Sequence, residues 1–178
     1  MRIVAGALKG RVFSSPNNQR THPMSDKVRG ALFNMLGDLS GLRVLDAFAG
    51  TGALSFEAIS RGAIQAVAIE MDTSAQRVIA DNIRSLGLRA RIKLIKANAA
   101  AWLQTSSPAD TYDIVLCDPP YHDLQTNVLL RLTGRVRPGG LFVLSWPTSV
   151  QVADFDGLEL LEQRTHGDAT LVFYRQNQ

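Results

Sequence analysis

Asp46-Ala47-Phe48-Ala49-Gly50-Thr51-Gly52-Ala53 ends one short apolar run, Leu42 to Ala47, and leads into another, Leu54 to Ser60. The first run has the length of a buried strand and the second continues as a helix. A glycine-rich turn between strand and helix lets a ligand approach the backbone closely, and ligands of open parallel sheets sit at the carboxyl ends of the strands, where this turn falls. The plainer alternative is a tight turn required only by packing. Gly50 and Gly52 match the first two glycines of the dinucleotide pattern G-x-G-x-x-G, but Ser55 stands at the third. Asp46, just before the loop, would repel a pyrophosphate. Its carboxylate suits the positively charged methionine end of S-adenosylmethionine, directly or through water.

Outward from this turn, strands and helices alternate. Ala66 to Glu70, Ile92 to Ile95, Asp113 to Cys117 and Leu141 to Ser145 read as strands, the last preceded by a Pro138-Gly139-Gly140 turn. Thr73 to Leu86 reads as a helix with Ala75, Val78, Ile79 and Ile83 on one face and Gly87 as its stop, and Leu124 to Leu132 reads as another. Near-continuous apolar strands alternating with helices imply an α/β fold, a parallel sheet covered on both faces. Leu158 to Gln163 and Ala169 to Tyr174, joined at His166-Gly167-Asp168, add an antiparallel pair at one edge. Glu70 ends the second strand, where an acid can accept hydrogen bonds from two ribose hydroxyls in either cofactor type. Asn98 follows the third strand and is placed to bond an adenine edge, to cap the segment through Trp102, or both. Phe48, Ala49, Thr51, Met71 and Ala99 flank these positions and complete the candidate cofactor set.

The fourth strand delivers Asp118-Pro119-Pro120-Tyr121. Two prolines fix φ near −65° twice and remove two backbone donors, so the loop is stiff and its carbonyls remain acceptors. An amino group on a heteroaromatic ring is a poor nucleophile because its lone pair is delocalised into the ring. Acceptors from Asp118 and the Pro119 carbonyl can hold both amino hydrogens and favour a lone pair aimed at a methyl donor, with positioning and electrostatics supplying the rate. Tyr121 offers a ring on which a base can stack. The tetrapeptide alone is a weak signal; its place after the fourth strand of a sheet whose first strand carries the glycine loop makes it specific. Cys117, next to it, belongs to an apolar strand and reads as core rather than nucleophile.

The chain has 178 residues, 46% apolar and 20% charged, which fits one globular unit. No apolar stretch approaches the roughly 18 residues of a membrane span. Met1 to Gly6 lacks the long apolar core of a secretory signal, so no leader is expected, and one cysteine excludes an internal disulfide framework. A cytoplasmic protein is expected. His22, His122 and His166 show no metal-ligand spacing, so no metal is expected. The net charge of +3 is uneven: residues 1–37 hold Arg2, Lys9, Arg11, Arg20, Lys27 and Arg29 against Asp26 alone. That clustering fits a phosphate-backbone contact surface or a solubilising mobile arm. Within it, residues 1–22 read as a small hairpin around Gly6 and Gly10, followed by a polar turn-rich stretch. Residues 24–36 read as a helix capped by Ser25 and stopped by Gly37. Its apolar face is Val28, Leu32, Met35 and Leu36, with Lys27, Gly30 and Asn34 opposite and Arg29 at the edge.

These residues resemble the ribosomal small subunit methyltransferase D family, which makes N2-methylguanine in 16S ribosomal RNA. The resemblance runs from Met1-Arg2-Ile3-Val4-Ala5-Gly6 and Lys9-Gly10-Arg11 through Pro23-Met24-Ser25-Asp26-Lys27-Val28-Arg29 and Ala31-Leu32-Phe33-Asn34. It continues in Leu45 to Leu54, Ser60-Arg61-Gly62-Ala63, Asp118-Pro119-Pro120-Tyr121 and Gly167-Asp168. It departs from the family pattern at His22 and Gly30. It implies a Rossmann-like class I methyltransferase fold, a seven-stranded sheet with one antiparallel strand. It also implies cofactor contacts from Asp46, Gly50, Gly52, Glu70 and Asn98, catalysis at Asp118 to Tyr121, and Arg11, Ser25, Lys27 and Arg29 facing RNA. The expected division is an RNA-facing extension, 1–37, and a methyltransferase domain, 38–178. The expected partner is 16S ribosomal RNA or a small-subunit assembly intermediate, met by a monomer. Three rivals stay open: an amino-methyltransferase acting on adenine N6 in DNA or another RNA, a nicotinamide-dependent oxidoreductase, and a non-catalytic RNA-binding assembly factor.

Overall fold

Seven strands form one sheet in the order β3-β2-β1-β4-β5-β7-β6 in the computed structural model, which describes residues 1–16 and 23–178. The elements are α1 Asp26–Leu36, β1 Arg43–Asp46, α2 Ala53–Ser60, β2 Gln65–Glu70, α3 Thr73–Ser85 and β3 Ile92–Lys96. They continue as α4 Ala99–Thr105, β4 Tyr112–Cys117, α5 Thr126–Thr133, β5 Val136–Pro147, β6 Leu158–His166 and β7 Ala169–Gln176. β1 pairs in parallel with both β2 and β4, so the chain reverses its direction of travel across the sheet at β1 and β4. That reversal opens a crevice beyond the carboxyl ends of the two strands, the usual ligand position of such sheets. β7 inserts between β5 and β6 and is antiparallel to both.

Each strand of the sheet's centre is apolar on both sides because both faces are covered. Val44, Ala66, Ala68, Ile114 and Leu116 face a cluster with Leu54, Phe56 and Ile59 of α2 and Ile79 and Ile83 of α3. Leu45, Val67, Ile69, Val115 and Cys117 face the other, with Trp102 of α4, Leu129 and Leu132 of α5, and Trp146, Phe155 and Tyr174.

The stretch 138–140, expected as a turn, is instead strand. β5 runs continuously from Val136 to Pro147, with an irregular register between the pairs Tyr112↔Val136 and Ile114↔Leu141. Proline and glycine chemistry is tolerated there as a bulge, since the ladder with β4 resumes on either side.

The basic N-terminus packs as part of the first cluster. Ile3, Phe13, Leu32 and Phe33 are buried with α2 and α3, and Phe13 stacks edge-on against Phe56 at 5.0 Å. The expected hairpin is short and antiparallel: Arg2 pairs with Val12, the Ile3 amide donates to the Arg11 carbonyl at 3.0 Å, the Gly10 amide to Ile3 at 2.9 Å and the Phe13 amide to Met1 at 3.0 Å. It is bolted to α2 by polar contacts: Glu57 accepts from the Val4 and Ala5 amides at 2.8 and 3.0 Å, and Ser60 from the Leu8 amide at 2.9 Å. Ser25 caps α1, accepting from the Val28 amide. Gly30 lies against Val4 instead of facing outward, because the N-terminal loop covers that side of α1. His22 lies outside the described residues. Among those described, no helix is long and apolar enough to cross a membrane.

Gly6 is the tightest point of the junction. Its φ is +82°, and a Cβ there would lie 1.9 Å from the Ser60 carbonyl oxygen. Gly10, with φ +81°, has open space around it. Gly6→Ala should therefore lower unfolding stability by roughly 2–4 kcal/mol, and Gly10→Ala by only about 1–2 kcal/mol. Urea denaturation of the two variants beside the parent chain measures the difference.

Candidate active site

Three adjacent strands deliver carboxylates to one edge of the crevice: Asp46 at the end of β1, Glu70 at the end of β2, and Asp118 just beyond β4. Asp46 is fully buried, and one carboxylate oxygen accepts from both the amide and the hydroxyl of Ser55, at 3.2 and 2.7 Å. The other oxygen, Oδ1, is buried with no hydrogen-bond partner. Burial pushes this carboxyl up to about 7; the Ser55 hydroxyl opposes the rise, and the nearby Asp118 and Glu70 add to it. Glu70 is shifted upward too, mainly by burial, although its oxygens accept from the amides of Gly50 and Asp72, both at 2.7 Å.

The loop between β1 and α2 is shaped by Gly52, whose φ is +79°. It starts α2, and a Cβ there would strike the Phe56 ring at 2.9 Å. The chain thus turns so closely over α2 that only glycine fits. Ala49, Thr51 and Gly52 are buried, Phe48 and Gly50 half-buried, and Met71 stands 65% exposed beside Glu70. Asn98 caps α4, its side-chain oxygen accepting from the Ala101 amide at 2.7 Å, and Ala99 is buried behind it. With the oxygen committed to the cap, the amide NH2 is the group that can meet an adenine nitrogen.

Asp118 is half-buried, and burial pushes its carboxyl up to about 6, with the Ser145 hydroxyl opposing the rise. Pro119 is buried, Pro120 exposed and Tyr121 half-buried. The sequence reading left every carbonyl of this loop as an acceptor. The Pro120 carbonyl instead closes a turn, accepting from the Asp123 amide at 2.9 Å. Tyr121 is more than a ring for stacking, because its hydroxyl lies 2.9 Å from the Ser145 hydroxyl. Ser145 is the neighbour of this loop that sequence reasoning missed. The available signal was a polar residue inside the apolar run Leu141 to Trp146 of β5. Cys117 is buried, its thiol raised far from thiolate formation by burial, which removes a nucleophile from consideration.

Arg29, expected to face RNA, is fully buried. Its guanidinium donates to the Arg2 carbonyl at 2.7 Å and to Asp26 at 2.8 Å, and lies 3.6 Å from Glu57. A buried Glu57 needs a buried cation nearby, and Arg29 supplies it together with Arg61. Arg11, Ser25 and Lys27 are exposed, as are Arg2 and Lys9, which with Gly10 and Asp26 line a shallow cleft of about 270 Å³. Among the described residues no group of three or more His, Cys, Asp or Glu side chains is arranged to hold a metal ion.

The residues present fit S-adenosylmethionine. An unpartnered buried carboxylate oxygen faces the need of an ammonium group, and Glu70 retains acceptor capacity for ribose hydroxyls. The fold, the glycine loop and the loop after β4 together define a class I S-adenosylmethionine-dependent methyltransferase. The chain belongs to the family described as conserved hypothetical protein 95, whose model matches residues 1–175. The ribosomal RNA small subunit methyltransferase D of Haemophilus influenzae is 28% identical over 180 residues, covering 98% of this chain and 92% of that protein. The protein of the same name from Escherichia coli K12 is 36% identical over 123 residues, covering 68% of this chain and 60% of its own length. The solved structure of yhhF from Escherichia coli superposes with a TM-score of 0.88 at 26% identity, with 99% of this chain and 98% of that one covered.

The buried carboxyls set a pH dependence. Asp46 is raised above its unfolded value of 3.8, so the folded chain binds more protons than the unfolded chain between about pH 4 and 7. Stability contributed by the protonated Asp46 is full below pH 4 and lost as pH rises through about 7. The ligand-free protein should be less stable at pH 8 than at pH 5, and Asp46→Asn should shrink the difference by roughly 1–3 kcal/mol. Urea denaturation at both pH values checks this; an identical difference in the variant would remove Asp46 as its source.

Proposed function

We propose that this protein transfers a methyl group from S-adenosylmethionine to the exocyclic N2 amino group of a guanine in 16S ribosomal RNA, on naked RNA or a small-subunit assembly intermediate. The observation that carries the chemistry is the Asp118 carboxylate on a stiff two-proline loop, adjacent to the strand end bearing Asp46. The names of the Haemophilus and Escherichia relatives support the ribosomal substrate.

S-adenosylmethionine, when bound, supplies an electrophilic sulfonium methyl group for in-line transfer. Asp46 holds the ammonium end through Oδ1, Glu70 the ribose, and the Asn98 NH2 the adenine. Phe48, Ala49, Gly50, Thr51, Gly52, Met71 and Ala99 line the same crevice in this reading. Asp118, ionised, accepts one amino hydrogen of the target base and takes the proton the nitrogen gives up, while the Pro119 carbonyl accepts the other hydrogen. Tyr121 supports the base from one side. A guanine in a loop reaches this pocket directly, and a paired one must first be flipped out. Arg2, Lys9, Arg11 and Lys27 meet RNA phosphates; Ser25 contributes through the start of α1 that it caps.

Incubation of unmodified small-subunit RNA with isotopically labelled S-adenosylmethionine, followed by nucleoside mass spectrometry, should yield N2-methylguanine. N6-methyladenine would overturn the base assignment and leave the amine chemistry standing. Asp118→Asn should lower the rate by about 10²–10⁴-fold. Because only the ionised Asp118 accepts protons, the parent enzyme's rate should rise with pH through about 6. Undiminished transfer by Asp118→Asn would sink the mechanism.

A further inference from the structure

We propose that the cleft between the N-terminal hairpin and the start of α1 is a sugar–phosphate subsite that separates RNA from DNA: Arg2 and Lys9 hold one phosphodiester, and Asp26 accepts the hydrogen of the adjoining ribose 2′-hydroxyl. The inference deepens the proposed function and rests on RNA being the substrate.

The cleft measures about 270 Å³ and is lined by Arg2, Ile3, Val4, Lys9, Gly10 and Asp26. Sites that enclose a drug-sized ligand run from roughly 300 to 1,000 Å³, so this one suits a single sugar–phosphate unit with the base left outside. The hairpin's own amides are committed elsewhere. Those of Val4 and Ala5 donate to Glu57, that of Lys9 to the Gly6 carbonyl and that of Gly10 to Ile3. Recognition therefore falls to the side chains. Arg2 is 71% exposed and, among the described residues, meets a partner only through Nε, 3.4 Å from Asp26. Its two terminal nitrogens keep their donors, the planar fork that can meet two phosphate oxygens at once. Lys9 adds an exposed ammonium from beyond the turn of the hairpin.

A site for phosphate alone has no use for a carboxylate, because like charges repel. Asp26 nevertheless lines the cleft, 42% exposed, with its charge balanced by the fully buried Arg29 at 2.8 Å and by Arg2. Arg29 also donates to the Arg2 and Met24 carbonyls, at 2.7 and 3.4 Å, so one buried guanidinium ties the hairpin to the start of α1. A carboxylate has about four lone-pair directions, and Arg29 and Arg2 take two of them. The remainder can accept from a neutral donor beside the phosphate. In RNA that donor is the 2′-hydroxyl, which DNA lacks. Pairing with Arg29 and a place in the first turn of α1 already give an acid at position 26 a structural role. That role alone predicts no preference for ribose.

Fluorescence anisotropy with three single strands of one sequence separates the two roles: RNA, DNA, and 2′-O-methyl RNA, which keeps the oxygen but has no hydrogen to donate. The parent protein should bind RNA roughly 3- to 20-fold more tightly than either of the others. Asp26→Asn keeps an oxygen for Arg29 and removes a negative charge from beside the phosphate. It should bind 2′-O-methyl RNA at least as tightly as the parent does, while its preference for RNA over that strand shrinks toward none. Arg2→Ala and Lys9→Ala should weaken binding of all three strands, and each should reduce the slope of log affinity against log salt by about 0.7. Lys9→Glu sets a repelling charge in the cleft without touching the Arg29 network, and should lower both the affinity and the preference for RNA; it decides the question even where Asp26→Asn fails to fold. Equal binding of RNA and 2′-O-methyl RNA by the parent, an undiminished preference in Asp26→Asn or Lys9→Glu, or unchanged salt slopes in both alanine variants overturns the proposal. A parent protein that discriminates the strands as expected but methylates no amine of small-subunit RNA overturns the functional reading instead.

Discussion

Gathering carboxylates at the ends of β1, β2 and β4 is electrostatically unfavourable. In a buried site each negative charge raises the cost of the next, and little water is available to spread the field. The protein answers in three ways. Asp46 and Asp118 are raised toward neutrality, to about 7 and about 6. Donors are aimed at the charges: Ser55 at Asp46, and the Gly50 and Asp72 amides at Glu70. One oxygen of Asp46 nevertheless stays unmatched. A cationic ligand relieves all three charges together, whereas a pyrophosphate would add to the conflict. Burial, rather than the neighbouring charges, raises Asp118 so that it changes protonation near pH 6.

A second buried carboxylate does structural work at the opposite side of α2. Glu57 accepts from two backbone amides of the N-terminal loop and pairs with Arg61 and Arg29. This arrangement makes the basic N-terminus a packed part of the core. It also withdraws Arg29 from the surface and leaves Arg2 sharing Asp26 with it. Among the described residues, the positive groups left at the surface of residues 1–37 are therefore fewer than the charge count implies, and two of them, Arg2 and Lys9, line the cleft beside Asp26.

The alternation of strands and helices was legible because buried parallel strands and amphipathic helices leave strong periodic patterns. The glycine loop and the Asp-Pro-Pro-Tyr loop were legible because each needs residue types that few other environments need. What escaped the sequence were effects of long-range packing. Arg29 read as an edge residue because Glu57, its partner 28 positions later, carries no mark in the local pattern. Gly30 read as outward-facing because the loop that covers it comes from residues 1–13. Pro138-Gly139-Gly140 has turn chemistry, and only the neighbouring β4 ladder makes it a bulged strand. The contact between Ser145 and Tyr121 was hidden for the same reason: a separate loop brings Tyr121 to β5.

In this structure convergent carboxylates hold the site for a cation. Calorimetric titration of the protein with S-adenosylmethionine near pH 6, in buffers of different ionisation enthalpy, tests it most directly. There Asp46 is mostly protonated in the free protein, so pairing it with an ammonium group should release close to one proton, and Asp46→Asn should bind more weakly and release much less. Binding with equal affinity and no proton release in both proteins would contradict the account.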